Sequence, residues 1–160
     1  MYKRQVDIYR RTGNRIVTTA IEHPSVANVM TRLEEKGFEV VRLAPKDHPD
    51  FVQALADAVD EHTLMLSCMA VNNETGFAVD VKRLYRLVKK KNPKTIVHID
   101  AVQGFLKVPL EGDLISISGH KIHASKGIGA LYIKKGIRIS PLLLGGGQQK
   151  NLRSLSLIHI

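Results

Sequence analysis

The chain has 160 residues, of which 44% are hydrophobic and 24% charged, so it has the size of one domain and can bury a sizeable core. No apolar run approaches the roughly 20 residues that a membrane-spanning helix needs, and the N-terminus carries no hydrophobic signal-peptide region, so we expect a cytoplasmic protein with no membrane partner. The net charge of +9 is typical of proteins that bind nucleic acid, but an aromatic content of 5% provides few side chains that could stack on bases. We therefore expect no direct contact with nucleic acid.

The lysines and the single cysteine have structural interpretations. Lysines cluster at 89–91, where a helix is predicted to end, and at 134–135, in the tail of a predicted strand. Cations at a helix C-terminus interact favourably with its dipole. Cys68 lies in an apolar run, which predicts a buried strand thiol rather than a nucleophile, and one cysteine excludes a disulfide within the chain.

Strand and helix patterns alternate through the first half of the chain. Ser25 is predicted to cap the first helix, and Gly37 is predicted to end it. The predicted strands are 15–20, 38–43, 63–71, 95–100, 113–118 and 129–134, and the predicted helices are 26–36, 49–59 and 81–88. Alternation predicts right-handed crossovers between parallel strands, whereas the strand-rich second half predicts a mixed sheet. We therefore expect an α/β fold with a mixed, mostly parallel sheet and flanking helices.

Lys121 is the residue whose surroundings are most informative about function. It follows an apolar strand, on a turn that Gly119 opens, and ligands of α/β sheets bind at such strand ends. Ser118 and His120 flank it with hydrogen-bond donors suited to a phosphate, and Asp100 closes another apolar strand upstream. A lysine for an aldehyde and a carboxylate for a pyridinium nitrogen form the pair that pyridoxal 5'-phosphate needs.

A zinc site is an alternative of another class. His98 and Asp100 lie two residues apart, His120 and His123 lie three apart, and zinc accepts such ligands. Nothing in a metal site requires Lys121, however. We therefore expect no metal.

The two ends of the chain differ from the rest. Residues 1–5 can be written GTG TAT AAG AGA CAG, with GTG read as Met, and residues 155–159 can be written CTG TCT CTT ATA CAC. The two strings are reverse complements and resemble the mosaic end of a transposon used to fragment DNA for sequencing. We therefore expect 1–5 and 155–160 to be translated adapter sequence, and 6–154 to be the biological part.

Six motifs occur along the chain in a fixed order. They are IEHPSV around His23, VNNETG at 71–76, HIDAVQ at 98–103, SGHKIH at 118–123, KGIGALYIKKG at 126–136, and GGGQQ followed by LRS at 145–154. In these motifs the chain resembles cysteine desulfurases of the NifS/IscS type, in the class V aminotransferase family. The resemblance implies that residues 6–154 are a fragment of the cofactor-binding large domain of a pyridoxal-phosphate-dependent transferase of fold type I.

The resemblance also implies a role for each matching residue. Lys121 would hold the cofactor as a Schiff base and later move the α-proton of the substrate. Asp100 would pair with the pyridine nitrogen and keep it protonated. Ser118 and His120 would hold the phosphate.

Three further residues match the family's motifs. His23 would lie on the face of the cofactor ring and serve in proton transfer. Gln103 would hydrogen-bond the phenolic oxygen of the cofactor. Asn73 would lie near that oxygen and near the substrate carboxylate.

The implied reaction converts L-cysteine to L-alanine and leaves a persulfide on an enzyme cysteine. In the family that cysteine lies in a loop downstream of the glycine-rich motif, whereas Cys68 precedes Lys121 on a predicted buried strand, so Cys68 is not that cysteine. The family's N-terminal phosphate-binding turn is also missing from the sequence. We therefore expect this chain alone to be inactive. The complete protein is expected to be a homodimer that passes sulfur to an acceptor or scaffold protein. The alternative within the same family is another class V enzyme, such as a selenocysteine lyase.

The adapter hypothesis predicts that the two ends contribute nothing to folding. Deleting 1–5 together with 155–160 should leave the thermal midpoint nearly unchanged, because such peptides were never selected to pack against this core. The midpoint can be followed by circular dichroism. A large fall in the midpoint would show that the ends belong to the fold.

Overall fold

The computed structural model describes residues 13–139, so the predicted adapter ends and the glycine-rich motif that finishes at Ser154 lie outside the described residues. The strands are β1 (Arg15–Thr19), β2 (Glu39–Leu43), β3 (Thr63–Met69), β4 (Ile96–Asp100), β5 (Leu114–Ser118) and β6 (Gly129–Ile133). The α-helices are α1 (Pro24–Glu34), α2 (Phe51–Asp57) and α3 (Val81–Lys91). Two 3₁₀ turns, Pro45–Asp47 and Gly119–Lys121, complete the regular structure of this part of the chain.

The strands form one sheet in the order β2-β1-β3-β4-β5-β6. Strands β1 to β5 pair in parallel, and β6 pairs antiparallel with β5. The predicted mixed, mostly parallel sheet is therefore confirmed. The connection from β5 to β6 is too short for the helical crossover that a parallel return requires, so the chain reverses and adds an antiparallel strand.

Helices cover both faces of the sheet. Helix α1 packs on one face, and helices α2 and α3 pack on the other. Each strand contributes to the hydrophobic core on both faces, because successive side chains of a strand point to opposite faces. Ile16 packs in the core with α1, and Val17 packs in the core with α2 and α3. Within the described residues, none of the helices has the length and apolar character needed to span a bilayer.

The three helices occur where the sequence predicts them, but their bounds differ from the predicted ones by up to three residues, and the first cap is a different residue. Ser25 was expected to cap α1, but this expectation is wrong: His23 is the N-cap, and its side chain accepts a hydrogen bond from the backbone N–H of Ser25. Pro24 follows at the first helical position, where its missing N–H costs nothing. Gly37 follows the helix with φ of 85°, which a residue with a Cβ rarely adopts.

His98 joins three strands in the middle of the sheet. Its side chain is fully buried, and its Nδ1 and Nε2 lie 2.9 Å from the Oγ of Ser67 on β3 and 3.0 Å from the Oγ of Ser116 on β5. A neutral imidazole offers one donor and one acceptor, and hydroxyl groups can complement both. Burial lowers the pKa of His98 to about 3, so the ring is neutral at physiological pH.

Two of the clustered lysines bond to buried side chains of the fold. Lys89 forms an ion pair of 2.5 Å with the buried carboxylate of Asp113, and Lys134 donates a hydrogen bond of 2.6 Å to the hydroxyl of Tyr85. Tyr85 in turn donates to Asp113 over 3.0 Å. This network fastens α3 to the sheet. Part of the positive charge therefore has an internal partner.

The buried imidazole predicts a loss of stability in acid. The unfolded chain takes up a proton at His98 near the ordinary histidine pKa of 6.5, whereas the folded chain does so only near 3, so stability is lost as the pH falls between those values. From near pH 7 to about pH 4 the free energy of unfolding should fall by roughly 3 kcal/mol more in wild type than in His98→Gln. Urea denaturation at both pH values measures this difference. The exposed His62 gives the matched control: His62→Gln should behave as wild type, and an equal effect there would contradict the argument.

Candidate active site

A cavity of about 300 Å³ opens at the carboxyl ends of the parallel strands. All of the residues predicted from the sequence to form the site line it: His23, Asn73, Asp100, Gln103, Ser118, His120 and Lys121. Asp100 and Ser118 are the last residues of β4 and β5, and the others lie in the segments that follow β1, β3, β4 and β5. These strands run in the same direction, so their carboxyl ends meet at one edge, where α/β sheets bind ligands.

Asp100 is the last residue of β4 and forms the buried end of the cavity. It is 7% exposed, and its Oδ1 accepts a hydrogen bond of 2.9 Å from the backbone N–H of Val102. Burial raises the pKa of the Asp100 carboxyl, while the Val102 N–H and the imidazole of His23 act in the opposite direction. A carboxylate in this position is stabilised by any cation that enters the cavity.

His23 combines a structural role with a position in the cavity. Its Nδ1 accepts from the backbone N–H of Ser25 over 3.2 Å and lies 2.8 Å from the Oγ of the same residue. Nδ1 is therefore the unprotonated nitrogen of the neutral ring, and Nε2 carries the proton. The cap thus fixes both the tautomer and the orientation of the imidazole.

Lys121 ends the 3₁₀ turn that leaves β5. The turn is held at Gly119, whose N–H donates to the carbonyl of Ile128 over 2.9 Å and whose carbonyl accepts from the N–H groups of Ile122 and Ala124. A Cβ at Gly119 would come within 3.2 Å of the Ile128 carbonyl and of the Ala124 methyl group, so a glycine fits there best. The turn leaves the Lys121 side chain exposed at the cavity.

Ser118 and His120 flank that turn and contact each other. The Oγ of Ser118 and the Nδ1 of His120 lie 2.7 Å apart. The contact orients the imidazole and leaves its Nε2 available. Together the two side chains offer neighbouring polar groups on the Lys121 side of the cavity.

Asn73 owes its place to its neighbour Asn72, which the sequence analysis did not single out. The buried Asn72 side chain accepts from the backbone N–H groups of Glu74 and Thr75, and its Nδ2 donates to the carbonyl of Ile21 over 2.9 Å. It therefore fixes the loop after β3 and ties it to the turn after β1. In a pair of adjacent asparagines, only burial tells the structural one from the one that lines the cavity.

Other residues of the site also escaped sequence reasoning. The cavity is lined in addition by Ser25, Met69, Val71 and Val102. Beside it lies the carboxyl of Glu22, which is 9% exposed and has a pKa raised to about 7, chiefly by burial. The position of Glu22 directly before His23 in the IEHPSV motif was the available signal, but a charged residue at a helix start usually faces solvent.

The residues proposed for the alternative zinc site do not form a group of ligands in the described part of the chain. Within residues 13–139, no three His, Cys, Asp or Glu side chains are grouped closely enough to hold a metal ion. His98 lies between two serines inside the sheet, whereas His120 is exposed at the cavity.

Comparison with known proteins identifies the family. Residues 4–157 match the family described as aminotransferase class-V, and the chain therefore belongs to the class V aminotransferase family. Members of this family use pyridoxal phosphate as their cofactor. The resemblance to cysteine desulfurases is confirmed: the chain is 41% identical over 145 residues to a cysteine desulfurase of Nostoc sp. (strain PCC 7120 / SAG 25.82 / UTEX 2576). That match covers 87% of this chain and 36% of the relative, so the chain spans little more than a third of the relative's length.

Solved structures agree with this assignment. A NifS-like protein superposes with a TM-score of 0.86 at 39% identity, over 97% of this chain and 44% of that protein. The protein SspA, solved in complex with cysteine, superposes with a TM-score of 0.87 at 31% identity, over 97% of this chain and 46% of its own. The described sheet and helices are thus the large-domain arrangement expected for fold type I.

The raised pKa of Glu22 predicts a stability profile that can be measured. A carboxyl whose pKa rises from 4.5 to about 7 on folding favours the folded state fully below 4.5 and loses that contribution as the pH rises to about 7. Across this interval wild type should lose about 3 kcal/mol of unfolding free energy relative to Glu22→Gln, whose amide does not titrate. Urea denaturation measures the difference. Glu61→Gln, at a side chain that is 87% exposed, should follow the wild-type profile. Because His98 changes stability in the opposite direction over part of this pH range, the test is the difference between variants: parallel profiles for wild type and Glu22→Gln would contradict the raised pKa of Glu22.

Proposed function

We propose that the complete protein containing this sequence is a pyridoxal-phosphate-dependent cysteine desulfurase. The observation that supports this most strongly is the cavity, which brings a lysine, a buried carboxyl and a set of polar side chains to one end of the sheet. Membership of the class V aminotransferase family and similarity to cysteine desulfurases point the same way.

The residues present suit the cofactor. Asp100 is a buried carboxyl at the cavity; burial raises its pKa, and the Val102 N–H and the His23 imidazole act in the opposite direction. A protonated pyridine nitrogen would be a cation beside this carboxyl and would favour its carboxylate form, so Asp100 fits a cationic ring. Ser118 and His120 lie beside Lys121 and suit a phosphate. Once bound, pyridoxal phosphate would supply an electron sink for the carbanion of the substrate.

Each side chain then has a task of its own. The Nζ of Lys121 would attach the cofactor and, once displaced by the substrate amine, would move the α-proton. Asp100 would hold the proton on the pyridine nitrogen. Nε2 of His23, which carries the ring proton in the neutral tautomer, would donate in proton transfer.

Gln103 and Asn73 would act by hydrogen bonding. We assign the Gln103 amide to the phenolic oxygen of the cofactor. We assign Asn73 to the neighbourhood of that oxygen and of the substrate carboxylate. Both side chains line the cavity, and Asn72 fixes the loop that carries Asn73.

L-Cysteine is the proposed substrate, in keeping with the relatives' activity and with the SspA complex. Its Cβ–Sγ bond would break, the sulfur would pass to the thiolate of a protein cysteine as a persulfide, and alanine would leave. Cys68 does not suit this role, because it is fully buried and burial raises its thiol pKa. We therefore place the persulfide-forming cysteine outside this sequence and propose that this chain alone does not turn over.

The wider assembly follows from the same proposal. Residues 6–154 would be a fragment of the cofactor-binding large domain. The complete protein would act in the cytoplasm as a homodimer. Its sulfur would go to an acceptor or scaffold protein, as in iron–sulfur cluster assembly.

The Schiff-base assignment can be tested on the complete protein. It should bind pyridoxal phosphate with a visible absorption band, borohydride should fix the cofactor to Lys121, and L-cysteine should yield alanine. Lys121→Ala should abolish the band and lower alanine production by about a thousandfold or more, because no other amine would be placed to attach the cofactor and move the proton. Absorbance, peptide mass mapping and alanine analysis measure these outcomes.

A lysine from the same loop provides the control. Lys126 is exposed and does not line the cavity, so Lys126→Ala should keep both the band and the activity. Normal activity in Lys121→Ala would overturn the assignment of the lysine. Turnover of L-cysteine by this chain at the rate of the complete protein would overturn the assignment of the missing nucleophile.

A further inference from the structure

The carboxyl of Glu22 bridges two strand ends beside the cavity. Its Oε1 accepts hydrogen bonds from the Oγ1 of Thr19 over 2.6 Å and from the backbone N–H of Met69 over 2.8 Å. Thr19 ends β1, and Met69 ends β3 and lines the cavity. Glu22 is therefore joined to both strands although it belongs to neither.

Met69 needs this partner because β1 stops short of it. The β1–β3 ladder ends at the pair Thr18 and Ser67. The backbone N–H of Ala70, the residue after Met69, donates to the carbonyl of Asp100 on β4. Successive N–H groups of a strand point to opposite sides, so the Met69 N–H points toward β1. The Glu22 carboxyl takes the place of a strand carbonyl there and prevents an unpaired buried donor.

The same bond fixes the turn that delivers His23. The turn is anchored at each preceding residue: the N–H of Ala20 donates to the carbonyl of Leu43, the carbonyl of Ile21 accepts from Asn72, and Glu22 holds Met69. His23 follows directly. The position of its imidazole is thus set by contacts that reach β2, the loop after β3, and β3 itself.

We propose that Glu22 is a positioning residue of the site, whose carboxyl locks the His23 turn onto the end of β3 beside Asp100 through its hydrogen bonds to Thr19 and Met69. The inference rests on the proposed function for its consequence, since His23 and Asp100 are the groups assigned to proton transfer and to the pyridine nitrogen. Glu22 itself does not line the cavity.

The charges around Glu22 favour its neutral form. Burial raises the pKa of the Glu22 carboxyl, and Asp100 on β4 raises it further, while the Thr19 and Met69 bonds oppose both. The Cys68 thiol on β3 and the His23 imidazole on the same turn are the other titratable groups nearby. In its neutral form Glu22 adds no negative charge beside Asp100, which is the carboxyl proposed to pair with the cationic ring of the cofactor.

Two substitutions separate the acceptor from the charge. Glu22→Gln keeps a neutral Oε1 acceptor for Thr19 and Met69, whereas Glu22→Ala removes it. In this chain, hydrogen exchange of the Met69 amide should be unchanged in Glu22→Gln and faster by about tenfold or more in Glu22→Ala, with the His23 ring resonances displaced only in the latter. Both are read by NMR and need no cofactor.

The complete protein supplies the second readout. Glu22→Ala should weaken pyridoxal phosphate binding by about tenfold, the worth of one buried hydrogen bond, and Glu22→Gln should restore wild-type affinity. If wild type binds no cofactor, the proposed function fails, and the Met69 and His23 signals still decide the positioning role. Unchanged signals in Glu22→Ala would overturn the proposal, and so would a Glu22→Gln variant that behaves like Glu22→Ala. Should Glu22→Ala not fold, Glu22→Asp shortens the side chain and tests the same bond.

Discussion

The site depends on the parallel pairing of β1, β3, β4 and β5. Parallel strands place all of their carboxyl ends at one edge, so residues far apart in the chain meet there. The antiparallel β6 contributes differently, because the turn that leads to it carries Lys121. A slip of one residue in any of these ladders would turn the side chains at the strand ends away from the cavity.

Burial acts on ionisable groups in this fold in more than one way. His98 is made neutral and is paired with hydroxyl groups of Ser67 and Ser116, so it serves the sheet. Glu22 is also driven toward its neutral form, but it holds the turn that carries a cavity residue. Asp100 is buried at the cavity, and it is the group that an incoming cation would stabilise. Of these three groups, Asp100 lines the cavity, whereas Glu22 and His98 do not.

The positive charge of the chain is only partly a surface property. Lys89 neutralises the buried Asp113, and Lys134 hydrogen-bonds Tyr85 over the same network. These bonds fasten α3 to the far end of the sheet, away from the cavity. The clustered lysines thus contribute to the rigidity of the scaffold on which the site is built.

The sequence by itself determined the succession of strands and helices, the mixed sheet, the family and seven of the residues that line the cavity. Hydrophobic periodicity, which depends on neighbouring residues, predicted the strands and helices. The motifs shared with a known family indicated the family and the choice of His23, Asn73 and Gln103. Only the tertiary structure decided that His23 rather than Ser25 caps α1, that Asn72 is the buried clamp beside Asn73, and that Glu22 bonds to Met69. The bonds of Asn72 and Glu22 join segments distant in the chain, and such pairing leaves no periodic pattern in the sequence. The His23 cap is local, but the sequence offers both His23 and Ser25 as side chains that could accept a capping bond.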